Sequence, residues 1–175
     1  MNIIVPLPKS PLPHKGRIGS REQQDWYSGL VHAATLATLD PSSEVWVITA
    51  LKVDDYQSEA DLYLETLLKL GVPAHQIRVF NEGYETMGQI DFIENNTLPS
   101  DPITLFVAPT HYLRVIWFTK KIKNVKVVIA WGLPRILEAV TDCIFTVLFP
   151  IADLLGQRAR VKKIILRRRE ANKQF

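Results

Sequence analysis

Short apolar runs alternate with longer stretches of helical periodicity along the first 130 residues. The short runs are rich in β-branched and aromatic residues, which favours strands at 3–5, 45–48, 77–80, 103–107 and 125–130. In the longer stretches apolar residues recur every three or four positions, which predicts helices at 21–39, 58–70, 85–94 and 110–121. Because strands that alternate with helices form parallel sheets covered on both faces, the pattern predicts a three-layer α/β sandwich with five parallel strands.

The helix at 58–70 has the clearest ends. It begins with Ser58, followed three residues later by Asp61, which is a variant of the capping box. Gly71 follows its end and Pro73 lies just beyond, as is typical of a helix C-terminus.

The chain after the fifth strand is predicted to be helical. Residues 134–148 are expected to form an apolar helix with Cys143 in the core, and residues 158–173 a basic amphipathic helix that either projects or packs on the sheet edge. The apolar stretch 143–155 is interrupted by Pro150 and Asp153 and is too short to span a membrane. We therefore expect an α/β domain over 1–156 with a C-terminal helical extension at 157–175.

Composition and charge narrow the class of protein. With 175 residues, of which 47% are hydrophobic, the chain has enough apolar material for one globular core. Residues 157–175, hereafter the basic tail, carry eight basic side chains and one acidic one, so the remainder of the chain has a net charge of −4. Polyanions are therefore expected to contact only the tail. The start of the chain lacks the pattern of a secretory signal, and we expect a cytoplasmic protein.

Candidate chemistry is sought at the carboxyl ends of the strands, where open parallel sheets bind ligands. After the first strand, Lys15 and Arg21 make a basic segment that either wraps an anion or is a solvated loop. After the second strand, Glu59 lies in the first turn of a helix, where it either caps the helix or meets a ligand.

The loops after the third and fourth strands hold three more candidates. Thr86 either caps the third helix or faces the same ligand. His111 is expected in the first turn of the fourth helix, with Arg114 one turn later on nearly the same face. Together they either hold and protonate a phosphate or carboxylate, or remain a solvated His and a paired Arg. No His, Cys, Asp and Glu cluster has the spacing of a zinc site, so no metal is expected.

The order of four motifs resembles a known family. They are Ser-Glu-Ala at 58–60, Leu-Gly-Val-Pro at 70–73, a helix opened by Thr86, and Pro-Thr-His at 109–111 followed by Arg114. Over roughly residues 2–130 this order is similar to the SanA/ElyC/YdcF-like domain family of mostly uncharacterised bacterial proteins. The resemblance implies a Rossmann-like domain, a polar pocket at the strand ends and a link to cell-envelope biogenesis. It places Glu59, Thr86, His111 and Arg114 in that pocket, with Arg21 less firmly.

The chain departs from the family at two strand ends. Pro6-Leu7-Pro8 stands where the family has a glycine-rich end to its first strand, and Thr49-Ala50-Leu51 stands where it has Ser-Gly-Gly. Glycine lets a ligand approach the backbone closely, so the chain is interpreted as a divergent member.

Two functions remain open. In the first, the core binds a small anionic ligand, nucleotide-like, adenosyl-containing or phosphorylated, and acts as a transferase or hydrolase linked to envelope metabolism. His111 would then be a general acid or base, Glu59 would orient it or bind a ligand hydroxyl, and Arg114, Thr86, Arg21 and Lys15 would bind the ligand. In the second, the chain is a non-catalytic interaction module whose basic tail contacts nucleic acid, an anionic membrane or a protein partner.

Overall fold

The computed structural model describes residues 1–8, 20–50, 58–83, 85–132, 136–157, 159–161 and 163, with the backbone alone at 20–25, 136–139, 141 and 142. The strands are β1 (Ile3–Leu7), β2 (Glu44–Ile48), β3 (Ile77–Phe80), β4 (Ile103–Val107) and β5 (Val125–Ile129). The α-helices are α1 (Ser20–Leu39), α2 (Glu59–Lys69), α3 (Thr86–Asn96), α4 (Tyr112–Thr119) and α5 (Ile136–Leu154). Two 3₁₀ turns, Ala74–Gln76 and Pro109–His111, precede β3 and α4.

The five strands form one all-parallel sheet in the order β3-β2-β1-β4-β5. The predicted α/β sandwich with a five-stranded parallel sheet is therefore confirmed, and its strand order is that of a Rossmann-like fold. Such an order arises because the connections reverse direction after β3, which places β4 on the other side of β1.

Strand β1 is longer than expected, because it continues through Pro6 to Leu7. Its register with β2 covers Ile3 and Ile4 only, whereas its register with β4 runs to Leu7. Beyond Ile4 the strand is therefore paired on one side, where a residue without an N–H is tolerated.

Helices cover both faces of the sheet, and each face has its own apolar core. On one face α1 and α2 pack over alternate strand residues such as Ile4, Val45 and Val47. On the other face α3 and α4 pack over their neighbours, among them Val5 and Leu105. Both faces of the strands are apolar for this reason, as expected of a parallel sheet between helices.

The predicted ends of α2 are confirmed. The Ser58 hydroxyl accepts from the Asp61 N–H at 3.0 Å, and the Asp61 carboxylate accepts from the Ser58 N–H at 3.2 Å, which completes the capping box. Gly71 follows the helix with φ of +88°, a conformation that glycine adopts without steric cost.

Helix α5 differs from its prediction. It runs from Ile136 to Leu154 and includes Pro150, whose missing N–H removes only one intrahelical hydrogen bond. The expectation that Cys143 is a core residue is wrong, because the thiol is exposed. Helix α5 is apolar on more than one side, and only its docking on α4 decides which side is buried.

The first part of the basic tail is helical at 159–161 and 163, and Val161 packs against the core on the α3–α4 face. The rest of the predicted tail helix lies outside the described residues.

Candidate functional site

The carboxyl edge of the sheet brings together the ends of β1 to β4 and the starts of the helices that follow them. Between β1 and β4 the connections leave in opposite directions, and open α/β sheets bind ligands at such a point. Lys15 lies outside the described residues, and Arg21 lies in the first turn of α1.

Glu59 is the first residue of α2 and is almost fully buried, at 3% exposure. The capping box at Ser58 fixes where α2 begins and therefore where this carboxylate lies. The start of a helix favours a negative charge, because its free N–H groups and dipole are positive there. Burial nevertheless costs free energy, which only hydrogen bonds or a cation can offset.

The two oxygens of the Glu59 carboxylate differ in their hydrogen bonds to the described residues. Thr49, the first residue after β2, donates its hydroxyl to Oε2 of Glu59. The backbone N–H of Thr49 donates to the Phe80 carbonyl at 3.1 Å, which ties this residue to the end of β3. Oε1 of Glu59 is buried and accepts no hydrogen bond from any residue that the structure describes. Buried polar atoms are nearly always paired, so this oxygen marks a place where an additional donor fits.

Tyr63 lies one turn after Glu59 on the same face of α2 and is buried. Burial, and then the charge of Glu59 and a hydrogen bond to it, raise the pKa of Tyr63 well above 10.0. The phenol therefore stays neutral at physiological pH and acts as a donor toward the carboxylate.

Trp26 extends this polar cluster into α1. Its indole ring stacks on the Tyr63 ring, with centroids 5.9 Å apart and an interplanar angle of 20°. The indole Nε1–H is buried, and no acceptor for it lies within the described ranges. Trp26 and Glu59 flank Tyr63 on two sides. Between α1 and α2, the Trp26 Nε1–H is thus a donor, and Glu59 Oε1 an acceptor, that the described residues leave unpaired.

Thr86 is the first residue of α3 and is half-buried. The amides at this helix start are already used, because the Glu85 carboxylate accepts from Met87 N at 2.8 Å and from Gly88 N at 2.9 Å. Gln89 donates to the Ile48 carbonyl at 2.6 Å, which fastens α3 to the end of β2. The start of α3 is therefore closed by its own carboxylate rather than left open to an anion.

His111 differs slightly from its predicted place. It ends the 3₁₀ turn that follows β4 and precedes α4, instead of lying in the first turn of that helix. Its N–H donates to the Ala108 carbonyl at 2.9 Å, and its side chain is half-buried. Pro109 favours this tight turn because its ring fixes φ and it needs no acceptor.

Arg114 is buried, at 5% exposure, and its guanidinium lies 5.5 Å from the centre of the Phe149 ring on α5. The contact is a cation–π interaction within the layer formed by α4 and α5. It gives Arg114 a packing role that its spacing from His111 did not indicate.

The predicted candidates therefore share the carboxyl edge but belong to different layers. Glu59 lies in the α1–α2 layer, whereas Thr86, His111 and Arg114 lie in or beside the α3–α4 layer. The residues that do contact Glu59 are Thr49 and Tyr63. Their signals in the sequence were a threonine directly after an apolar strand and a tyrosine four residues beyond Glu59.

Within the described ranges, no group of three or more His, Cys, Asp or Glu side chains is arranged to hold a metal ion. None of the helices in these ranges is both long enough and apolar enough to cross a bilayer.

Comparisons with known proteins give no family for the chain: no family model, no curated protein and no solved structure matches it. The resemblance to the SanA/ElyC/YdcF-like family therefore stays a prediction.

Proposed function

We propose that the chain binds a small anionic ligand that carries hydroxyl groups, of the nucleotide or sugar-phosphate kind, at the carboxyl edge of the sheet. Glu59 accepts a hydrogen bond from a ligand hydroxyl. The observation that supports this is the buried carboxylate, which the protein holds by Oε2 while Oε1 is open. A carboxylate desolvated in this way weakens the fold unless a ligand donor completes its hydrogen bonds.

The chemistry of the cluster favours a hydroxyl over a phosphate at Glu59. A phosphate oxygen is itself negative and accepts hydrogen bonds, so the carboxylate repels it. A hydroxyl donates to Glu59 Oε1 and can also accept from the Trp26 indole N–H. We assign the anionic part of the ligand to Lys15, which follows β1 in the sequence, and to Arg21, in the first turn of α1.

A thermal-shift screen of nucleotides, adenosyl cofactors and sugar phosphates tests the proposal. A ligand present at about 100 times its Kd adds about 2.7 kcal/mol to the free energy of unfolding. Glu59→Gln keeps the shape of the side chain but removes its charge, and we expect it to weaken binding by about tenfold or more.

The matched control is Glu65→Gln, in the same helix, whose carboxylate is exposed and pairs with Lys69. It should bind the ligand as the wild type does. Equal affinities for wild type and Glu59→Gln would remove Glu59 from the site, and with it the proposed function.

His111 is assigned the role of general acid or base if the bound ligand is turned over. It follows β4 at the same edge, and an imidazole side chain can both donate and accept a proton. His111→Asn is expected to keep ligand affinity and to lose phosphate or leaving-group release. A variant that retains the wild-type rate would exclude His111 from the reaction.

A further inference from the structure

Helix α5 exposes an apolar stripe made of Val140, Ile144, Val147, Leu148, Ile151 and Leu154. These side chains are between 48% and 74% exposed, so most of their apolar surface is in contact with solvent. Contiguous exposed patches of this kind mark interaction sites.

The other side of α5 is fixed to the domain. Phe149 packs on Phe118 of α4, and the Trp117 indole donates to the Asp153 carboxylate at 3.1 Å. The helix therefore cannot turn its outer stripe inward without breaking these contacts. Among the described residues nothing covers the stripe, which leaves it accessible to a partner.

The spacing of the stripe is that of a coiled coil. From Val140 the positions advance by four, three, four and three residues through Ile144, Val147 and Ile151 to Leu154. This is the alternation of a and d positions in a heptad, and β-branched and leucine side chains occupy them. Such a surface is complementary to another helix with the same repeat.

We propose that the α5 stripe binds the α5 stripe of a second copy of this chain, with the two helices antiparallel. Burying the stripe on both copies removes on the order of 1,000 Å² from water, which reaches the size of a specific interface. A surface that packs on its own copy also gives a closed, two-fold symmetric dimer.

Charge favours a protein partner over an anionic membrane. The charged residues of α5 are Glu138, Asp142 and Asp153, all acidic, whereas helices that lie on anionic bilayers carry Lys and Arg beside their apolar side. The acidic residues near the two ends of α5 would weaken its binding to a lipid surface of negative charge.

The helix dipole favours the antiparallel arrangement. Each helix has a partial positive charge at its start and a partial negative charge at its end. Antiparallel packing places the start of one α5 beside the end of the other, whereas parallel packing places like ends together.

Size-exclusion chromatography with light scattering tests the dimer on the full chain. We expect a dimer at protein concentrations of up to about 100 µM, and a monomer for Ile144→Lys because a charge then lies in the buried interface. Leu68→Lys, an exposed apolar residue on α2, is the matched control and should remain dimeric. Circular dichroism and thermal melts check that each variant is folded.

Charge reversal tests the orientation. In an antiparallel pair the a positions of one helix face the d positions of the other, so Val147 of one copy lies beside Ile151 of the other. Val147→Glu and Ile151→Lys should each give monomers, and the double variant should recover the dimer through two opposite-charge pairs. In this arrangement the two Cys143 thiols lie about 18 Å apart along the helix axis and should not cross-link under oxidation.

Three outcomes would overturn the proposal. A wild-type chain that stays monomeric throughout this range contradicts the dimer. A monomer that sediments with vesicles of phosphatidylcholine and phosphatidylserine, and loses this on Ile144→Lys, identifies the stripe as a membrane surface. A double variant that stays monomeric, together with a Cys143–Cys143 disulfide in the wild type, excludes the antiparallel arrangement.

Discussion

Two buried glutamates lie near opposite ends of β2, and their carboxylates differ in their hydrogen-bond partners. Glu44, the first residue of the strand, accepts from the Arg78 guanidinium at 2.6 Å and from the Trp46 indole at 3.0 Å. Glu59, beyond the carboxyl end, is held through Oε2 by Thr49 and leaves Oε1 open. Glu44 therefore has a cationic partner and a hydrogen bond to each carboxylate oxygen, whereas the described residues leave one oxygen of Glu59 unpaired.

The same difference in hydrogen bonding distinguishes the two edges of the sheet. At the amino edge, polar groups are paired within the fold: the Gln76 side chain also donates to the Asp40 and Ser43 carbonyls, each at 3.1 Å. At the carboxyl edge, Glu59 and Trp26 keep an acceptor and a donor without partners among the described residues. Unpaired buried groups destabilise a protein, and open α/β sheets bind ligands at this edge, so the two groups are the basis of the proposed site.

The largest effect on stability is expected at the amino edge. Glu44→Leu should lower the free energy of unfolding by about 2–3 kcal/mol, because the buried indole N–H of Trp46 loses its acceptor. Arg78 loses the same partner, but 58% of its side chain is exposed, so water can solvate the guanidinium and its contribution to the loss of stability is smaller. Urea denaturation measures the change. A loss below about 0.5 kcal/mol would mean that the pairing at this edge contributes little.

A change at the carboxyl edge is expected to have the opposite sign. Glu59→Gln should raise the free energy of unfolding by about 1 kcal/mol, because it removes a buried charge that pairs with no cation of the described residues while keeping an acceptor for Thr49. The same denaturation assay applies. If the variant were instead destabilised by about 2 kcal/mol, Glu59 would be a structural acid like Glu44 and the contrast between the edges would fail.

The start of α2 offers a sharper test of what positions Glu59. Ser58→Ala should cost about 1 kcal/mol, since it removes the side-chain cap. Hydrogen bonds from Ser58 lower the pKa of Asp61 below 3.8, so their contribution is present above pH 3.8 and is lost as the pH falls through the lowered pKa. The difference in the free energy of unfolding between wild type and Ser58→Ala should therefore become smaller at acid pH. A difference that is independent of pH would show that Asp61 takes no part in the cap.

The smallest effect is expected at Tyr63. Tyr63→Phe should cost about 0.5 kcal/mol at neutral pH, because the loss of the hydrogen bond to the Glu59 carboxylate is partly offset by no longer burying a hydroxyl, and the stacked ring is kept. The raised pKa means that the neutral phenol's contribution is intact below pH 10.0 and declines as the pH rises above it. Wild type should therefore lose stability more steeply than Tyr63→Phe above pH 10.0. If the stabilities of the two proteins fell in parallel above pH 10.0, a group other than Tyr63 would be responsible for the loss.

Local signals in the sequence were sufficient for the elements themselves. The apolar runs gave the five strands, and Ser58, Asp61 and Gly71 gave the ends of α2, because capping and φ preferences act within a few residues. The parallel sheet followed from the alternation of strands and helices. The same reasoning placed Glu59 at the carboxyl edge.

Contacts between distant residues decided the rest. That Arg114 packs on Phe149, and that Cys143 faces solvent rather than the core, depends on how α5 docks on α4. The partners of Glu59 depend in the same way on the meeting of α2 with the end of β2. A helical repeat fixes which residues share a side, but an apolar helix such as α5 has more than one side that could be buried. Only the packing of the whole chain selects between them, since burial free energy depends on the area removed from water rather than on local sequence.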